Sequence, residues 1–185
     1  MSPDIESQMQ ELYKEIEEKQ SQLLKLKKSI PAFEVEDYSF STLDGEVKLS
    51  TLFGDFDELI LVYNMGSKCP YCALWADEYN GVFRHLSSRA AFVVSSPDTP
   101  QLQSEISKSR KYVFPMVQSS QDFRKQMKFE KEDGSVWPGF SVFQKTKDNK
   151  VYHVSKDYFG PGDQYCGVWH FFDLLPSDKE WHPKH

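Results

Sequence analysis

Two cysteines three residues apart enclose a proline and a tyrosine in the run Cys69-Pro70-Tyr71-Cys72. Their types and spacing suit thiol and disulfide chemistry, because a pair on one helical turn can close a ring and open it again. The apolar run Leu59-Ile60-Leu61-Val62-Tyr63 precedes the pair and a helical pattern follows it, across the polar turn Asn64-Met65-Gly66-Ser67-Lys68. Proline favours the first helical position, so Pro70 makes Cys69 the expected N-cap. There its sulfur faces unpaired backbone N–H groups and the positive end of the helix dipole, which favour a thiolate. Cys69 is the expected nucleophile and Cys72 the resolving thiol, with Tyr71 between them and Lys68 adding positive charge beside the nucleophile.

Blander roles fit the pair less well. A structural disulfide closing so short a loop gains only about 2 kcal/mol, against roughly 3 kcal/mol for a 15-residue loop. A closed zinc site wants four Cys or His ligands at characteristic spacing, and only Cys166 and five scattered histidines remain. No metal and no bound cofactor are expected. Cys166 reads as a small buried apolar residue, with a further redox thiol as the alternative. His153 and His170 read as hydrogen-bonded packing, and His182 and His185 as part of a polar tail.

The elements that must hold the pair follow from hydropathy. Leu74, Trp75, Tyr79, Val82, Phe83 and Leu86 fall at helical spacing behind the cysteines, so that helix buries one face. Trp75 reads as core, and Asp77 as a solvated structural residue or else a buried proton acceptor. Ala90 to Val94 form a strand, and Asp98 or Thr99 caps a helix that runs through Leu102 and Ile106 toward Tyr112. Strand, helix, strand, helix implies parallel pairing with right-handed crossovers. Ahead of this lies an extended lead-in, Phe33 to Leu52, with a hairpin turn at Asp44-Gly45. Behind it come a short strand at Phe114 to Val117 and an excursion from Asp122 to Trp137, with a short helix at Asp122 to Met127 and a charged run through Glu130-Lys131-Glu132-Asp133, read as solvated surface. An antiparallel hairpin of Phe140–Phe143 and Val151–Val154 turns at Asp148-Asn149. After Gly160-Pro161-Gly162, an amphipathic helix through Tyr165, Val168, Trp169, Phe172 and Leu175 stops at Pro176.

The first 30 residues differ in character. Ile5, Met9, Leu12, Ile16, Leu23 and Leu26 recur at alternating steps of four and three, with Lys19 breaking the series. Such a helix is marginal in water alone, so its seam must bury itself on the domain or on a second copy; a homodimer is slightly favoured. The expected organisation is a helical extension at 1–30, a domain at 31–176 and a polar tail at 177–185.

Composition bounds the partners. A formal charge of -6 disfavours nucleic acid and anionic membrane. The apolar runs are strand-sized rather than membrane-length, and the acidic amino terminus lacks a secretory pattern, so cytoplasmic location is expected.

The element order resembles the thioredoxin fold: an α/β, three-layer arrangement of a mixed central sheet with flanking helices, here with an N-terminal amphipathic helix. The runs Cys69-Pro70-Tyr71-Cys72, Leu74-Trp75-Ala76-Asp77, Pro138-Gly139-Phe140-Ser141-Val142-Phe143, Val151-Tyr152-His153 and Phe172-Asp173-Leu174-Leu175-Pro176 narrow it. They resemble a bacterial thioredoxin-like family catalogued as a domain of unknown function and related to the alkyl hydroperoxide reductase and thiol-specific antioxidant group. The resemblance implies a cis-proline opposite the cysteine pair, matched by Pro138 with Pro115 as runner-up. Trp137, ahead of it, would offer backbone hydrogen bonds to an extended substrate. The approach to Cys69 lacks the proline and threonine of typical peroxiredoxins, whereas Pro70-Tyr71 matches glutaredoxins. A thiol-disulfide oxidoreductase is therefore expected, acting on a protein disulfide or a low-molecular-weight thiol substrate with an external thiol reductant. A thiol-dependent peroxidase and a non-enzymatic interaction module are the alternatives.

Overall fold

The computed structural model describes residues 3–177 and 179–184; the reading of His185 lies outside the described residues. Helix α1, Pro3–Ser29, leads into strands β1 (Phe33–Val35), β2 (Ser39–Thr42) and β3 (Gly45–Lys48) and a 3-10 helix, Leu49–Phe53. The core unit follows as β4 (Glu58–Tyr63), α2 (Pro70–Leu86), β5 (Ala91–Ser96), α3 (Pro100–Arg110), β6 (Met116–Gln118) and α4 (Gln121–Gln126). The chain closes with β7 (Gly139–Lys145), β8 (Val151–Tyr158) and α5 (Val168–Phe172).

All eight strands join one sheet in the order β1-β8-β7-β4-β5-β6-β2-β3. Strands β4, β5 and β6 run parallel, while β7 pairs antiparallel with β4 and carries the β8 hairpin. The sheet is thus mixed, as the element order implies. Strand side chains alternate between faces, and the alternation builds two cores. Leu59, Leu61 and Tyr63 of β4 join Phe53, Phe123 and Phe129 on one face, whereas Ile60 and Val62 meet Trp75, Phe92 and Phe159 on the other. Helix α2 lies on that second face, so the thioredoxin-like three-layer arrangement with an N-terminal helix is the observed fold.

Three expectations need correction. The Asp122–Trp137 excursion is not simply solvated surface, because Phe123, Met127 and Phe129 are fully buried. Two of its charges neutralise one another in the interior: Arg124 Nε donates to Glu130 Oε2 at 2.7 Å with both side chains buried. The final helix is also shorter than its pattern. Asp163 accepts from Gly160 N at 2.9 Å, Tyr165 N at 2.7 Å and Trp75 Nε1 at 3.0 Å, which holds the preceding segment as a turn, so Tyr165 and Cys166 stand outside α5. Finally, the carboxyl-terminal segment packs back on the domain. Trp181 meets Phe172 edge to face at 4.9 Å, and Pro183 is buried.

Candidate functional site

Strand β4 ends at Tyr63, between Ser95 of β5 and Gly139 of β7. The chain then leaves the sheet through a braced turn. Asn64 N donates to Ser95 O at 2.8 Å, Gly66 N to Asn64 Oδ1 at 3.0 Å and Cys69 N to Gly66 O at 3.1 Å. Asp98, just past β5, holds the turn from outside: Ser67 N donates to its Oδ2 at 2.8 Å and Ser67 Oγ to its Oδ1 at 3.3 Å. Gly66 has φ +113°, and a Cβ there would lie 3.1 Å from Asp98 Oδ1. The turn therefore needs glycine on two counts.

Cys69 emerges at the N-cap of α2 with extended backbone, and Pro70 begins the helix. Its Sγ accepts the Cys72 N–H at 3.0 Å. Hydrogen bonding from the Cys72 thiol, and behind it from the backbone N–H groups of Cys72 and Tyr71, outweighs burial and brings the Cys69 thiol down to about 7. A thiolate caps donors that helix geometry leaves unpaired. Cys72 is buried, with Met65 N donating to its Sγ at 3.4 Å. The hydrogen bond it gives to Cys69, then burial, pushes its own thiol well up. No disulfide joins Cys69 and Cys72 in this structure.

The other residues singled out from sequence fall in several places. Trp75 is buried and anchors α2 to Asp163. Asp77 is half exposed, pairs with Arg110 at 3.0 Å and accepts from Tyr112 Oη at 3.1 Å, which ties α2 to α3. Lys68 is exposed in the turn. The Tyr71 hydroxyl meets His182 Nδ1 at 2.7 Å, and its ring stacks toward Trp169. Trp137 is half exposed under Lys131, whose Nζ sits 4.6 Å from its ring. Pro138 stands one residue before Gly139, so extending the β4–β7 register puts it level with Asn64, where the cysteine turn departs. The expected cis bond is absent: no described peptide bond is cis. Pro138 is trans, and its carbonyl accepts Phe159 N at 2.9 Å, which ties this residue to the end of β8. Pro115 is trans as well, and its carbonyl accepts Val94 N at 3.0 Å.

Beside Cys69 lies a cavity of about 80 Å³, walled by Asn64, Ser67, Asp98, Arg110 and Tyr112 and floored by apolar residues of α2 and β5. Sequence reasoning gave Asp98 only a capping role and passed over Arg110. A usable signal existed, since sites in open α/β sheets gather at the carboxyl ends of parallel strands, which is where Asp98 follows β5.

The family model described as "Bacterial protein of unknown function (DUF899)" matches residues 5–184. The chain belongs to that family. Among solved structures, peroxidoxin BcpB from Mycobacterium tuberculosis aligns at TM-score 0.55 and 20% identity, covering 69% of this chain and 84% of that one. Reduced Prx3 in complex with H₂O₂ from Vibrio vulnificus aligns at TM-score 0.57 and 11% identity, covering 71% and 88%. A structure of peroxiredoxin Q from Xanthomonas campestris aligns at TM-score 0.51 and 15% identity, covering 74% and 87%. Identities this low show the fold, which this chain shares with thioredoxin-fold peroxidases. No curated protein matches the chain. The family membership and the thioredoxin-like fold are those read from the cysteine motif and its neighbours. No described helix is long and apolar enough to cross a membrane.

Proposed function

We propose that this protein is a thiol-disulfide oxidoreductase with Cys69 as nucleophile and Cys72 as resolving thiol. The observation that carries the reading is the N-cap sulfur of Cys69, bonded by Cys72 N–H at 3.0 Å, with its thiol brought down to about 7 beside a Cys72 thiol that stays protonated. Cys69 thiolate attacks a substrate disulfide, and the released sulfur departs as a thiolate that takes up a proton. Cys72 then gives up its proton and attacks Cys69 Sγ, which frees the second substrate thiol and leaves a Cys69–Cys72 disulfide. Two electrons have passed to the substrate, and an external thiol reductant restores the pair. Lys68, Pro70 and Tyr71 shape the approach in this proposal, and Trp137 and Pro138 at the head of β7 guide an extended substrate. The reading carries with it a reducing compartment, the cytoplasm, and a soluble disulfide-bearing partner. The exposed seam of α1 supports self-association.

A second reading, peroxide reduction, is favoured by the small cavity beside Cys69 and by a fold shared with peroxiredoxins. There Cys69 thiolate takes one peroxide oxygen to become a sulfenic acid, and Cys72 resolves it to the same disulfide with release of water. Purified protein assayed with insulin disulfide and with hydrogen peroxide, each against Cys69→Ser and Cys72→Ser, separates the readings. Insulin reduction lost in Cys69→Ser is the expected result. Turnover of peroxide alone would move the assignment to the second reading, and turnover in neither assay would leave a non-enzymatic interaction module.

A further inference from the structure

Helix α1 has 27 residues, about 40 Å of helix, and is tied to the domain near its carboxyl end, where Lys27 pairs with Asp157. Its seam residues Leu12, Ile16, Leu23 and Leu26 each keep more than half of their surface exposed. The charge changes sign along its length: Asp4, Glu6 and Glu11 lie near the start and Lys25, Lys27 and Lys28 in the last turns, with Lys14, Glu15, Glu17, Glu18 and Lys19 mixed between them. Lys19 occupies the one seam position that is not apolar.

We infer that a second copy of this chain covers the seam, with the two α1 helices antiparallel and centred between Ile16 and Lys19. The charge pattern decides the orientation. A parallel pair would stack acidic on acidic and basic on basic halves and set Lys19 against Lys19 in the middle of an apolar layer. The antiparallel pair brings each acidic half against a basic half and opposes the helix dipoles. It also gives layers of Met9 on Leu26 and Leu12 on Leu23, with each Lys19 beside Ile16 and within reach of Glu15 of the second copy. A polar residue at one seam position is a recognised device for setting register and orientation.

The domain supplies the rest of the seat. A strip about 40 Å by 10 Å falls short of the roughly 800 Å² that a standard interface hides on each partner. Beneath the basic end of α1 runs a groove of about 380 Å³ between Gln20, Leu23, Leu24 and Lys27 on the helix and Gln164 and Tyr165 on the domain. The acidic half of the second helix, with Met9, lies in that groove, and the arrangement repeats on the other side of the two-fold axis. Closed isologous pairing of this kind is the commonest assembly of soluble proteins. The inference rests on the self-association proposed above and not on the redox chemistry.

Light scattering on the eluting full-length protein should give twice the 21.6 kDa chain mass, and Leu12→Glu should return it to one chain mass with unaltered insulin reduction. A single chain mass for the wild type overturns both the self-association and the pairing. Orientation is read by oxidative cross-linking in a Cys69→Ser background. Mixed Leu12→Cys and Leu23→Cys proteins should join, whereas neither should join to itself, because in the antiparallel pair equivalent positions are about 16 Å apart along the axis. A dimer in which Leu12→Cys cross-links to itself overturns the antiparallel pairing while leaving self-association standing.

Discussion

Cysteine at a helix N-cap converts an ordinary structural need into reactivity. The N–H groups of the first turn require an acceptor, and a thiolate is a better acceptor than a thiol. The rate of Cys69 alkylation against pH should therefore rise about a midpoint near 7. Cys72→Ala should move that midpoint up toward the free-thiol value of about 8.5, because the Cys72 thiol is the largest cause of the lowering. An unmoved midpoint would assign the effect to the backbone donors alone. A second titration belongs to His153, whose Nε2 meets Ser141 Oγ at 3.0 Å while Tyr63 Oη donates to the same oxygen at 3.2 Å. Burial, and then the charge of Lys156, lowers His153 to about 4. The unfolded chain binds this proton at about 6.5, so between 6.5 and 4 it holds more protons than the folded one. Stability is then complete above pH 6.5 and lost as pH falls toward 4. Denaturant midpoints across that window should fall more steeply in the wild type than in His153→Gln, which has no proton to gain.

Among the elements, those formed by local pattern agree best with the sequence. Helix α2, strands β4 and β5 and the β7–β8 hairpin each carry their own periodicity and end signals, and each stands where that periodicity puts it. The segment around α4 forms its short helix where the sequence puts one, yet its run of charges reads as solvent-facing until Arg124 and Glu130 are seen to satisfy one another. Sequence spacing alone cannot reveal that two charges six residues apart turn inward around Phe123 and Phe129. Removing one member strands the other in the core, which costs about 3 to 5 kcal/mol. Arg124→Met should lower the unfolding free energy by about that much in urea titration, and a loss under 1 kcal/mol would show the site to be wetter than its burial indicates. Gly139 makes a similar point about close approach: a Cβ there would stand 2.3 Å from Asp157 O and 2.9 Å from Tyr158 Cα. Gly139→Ala should cost about 1 to 3 kcal/mol by overpacking and loosen the head of β7, visible as faster amide exchange in the β7–β8 hairpin.

For the whole molecule, the sheet joins segments far apart in the chain. Strand β1 closes one edge on β8, and β2 reaches β6 through Ser41 and Gln118. Helix α1 stands apart from this construction, tied at Lys27 to Asp157. Deleting residues 1–29 should shift thermal unfolding by only a few degrees, since one partly exposed ion pair is worth about 1 kcal/mol or less, while abolishing self-association. A collapse of the domain on truncation would make α1 part of the core instead.

The amino-acid sequence by itself determined the cysteine pair, its strand–turn–helix setting, the mixed α/β order and the apolar seam of α1. Each is written in spacing over ten to twenty residues, where helix and strand periods are legible. Tertiary structure alone decided that Asp98 braces the turn before Cys69, that Asp77 binds Arg110 and Tyr112, that Pro138 is trans and that the closing helix is cut short by Asp163. All of these depend on groups from different elements meeting across the fold. Hydropathy records which face is buried, and only the packed chain records what it meets there.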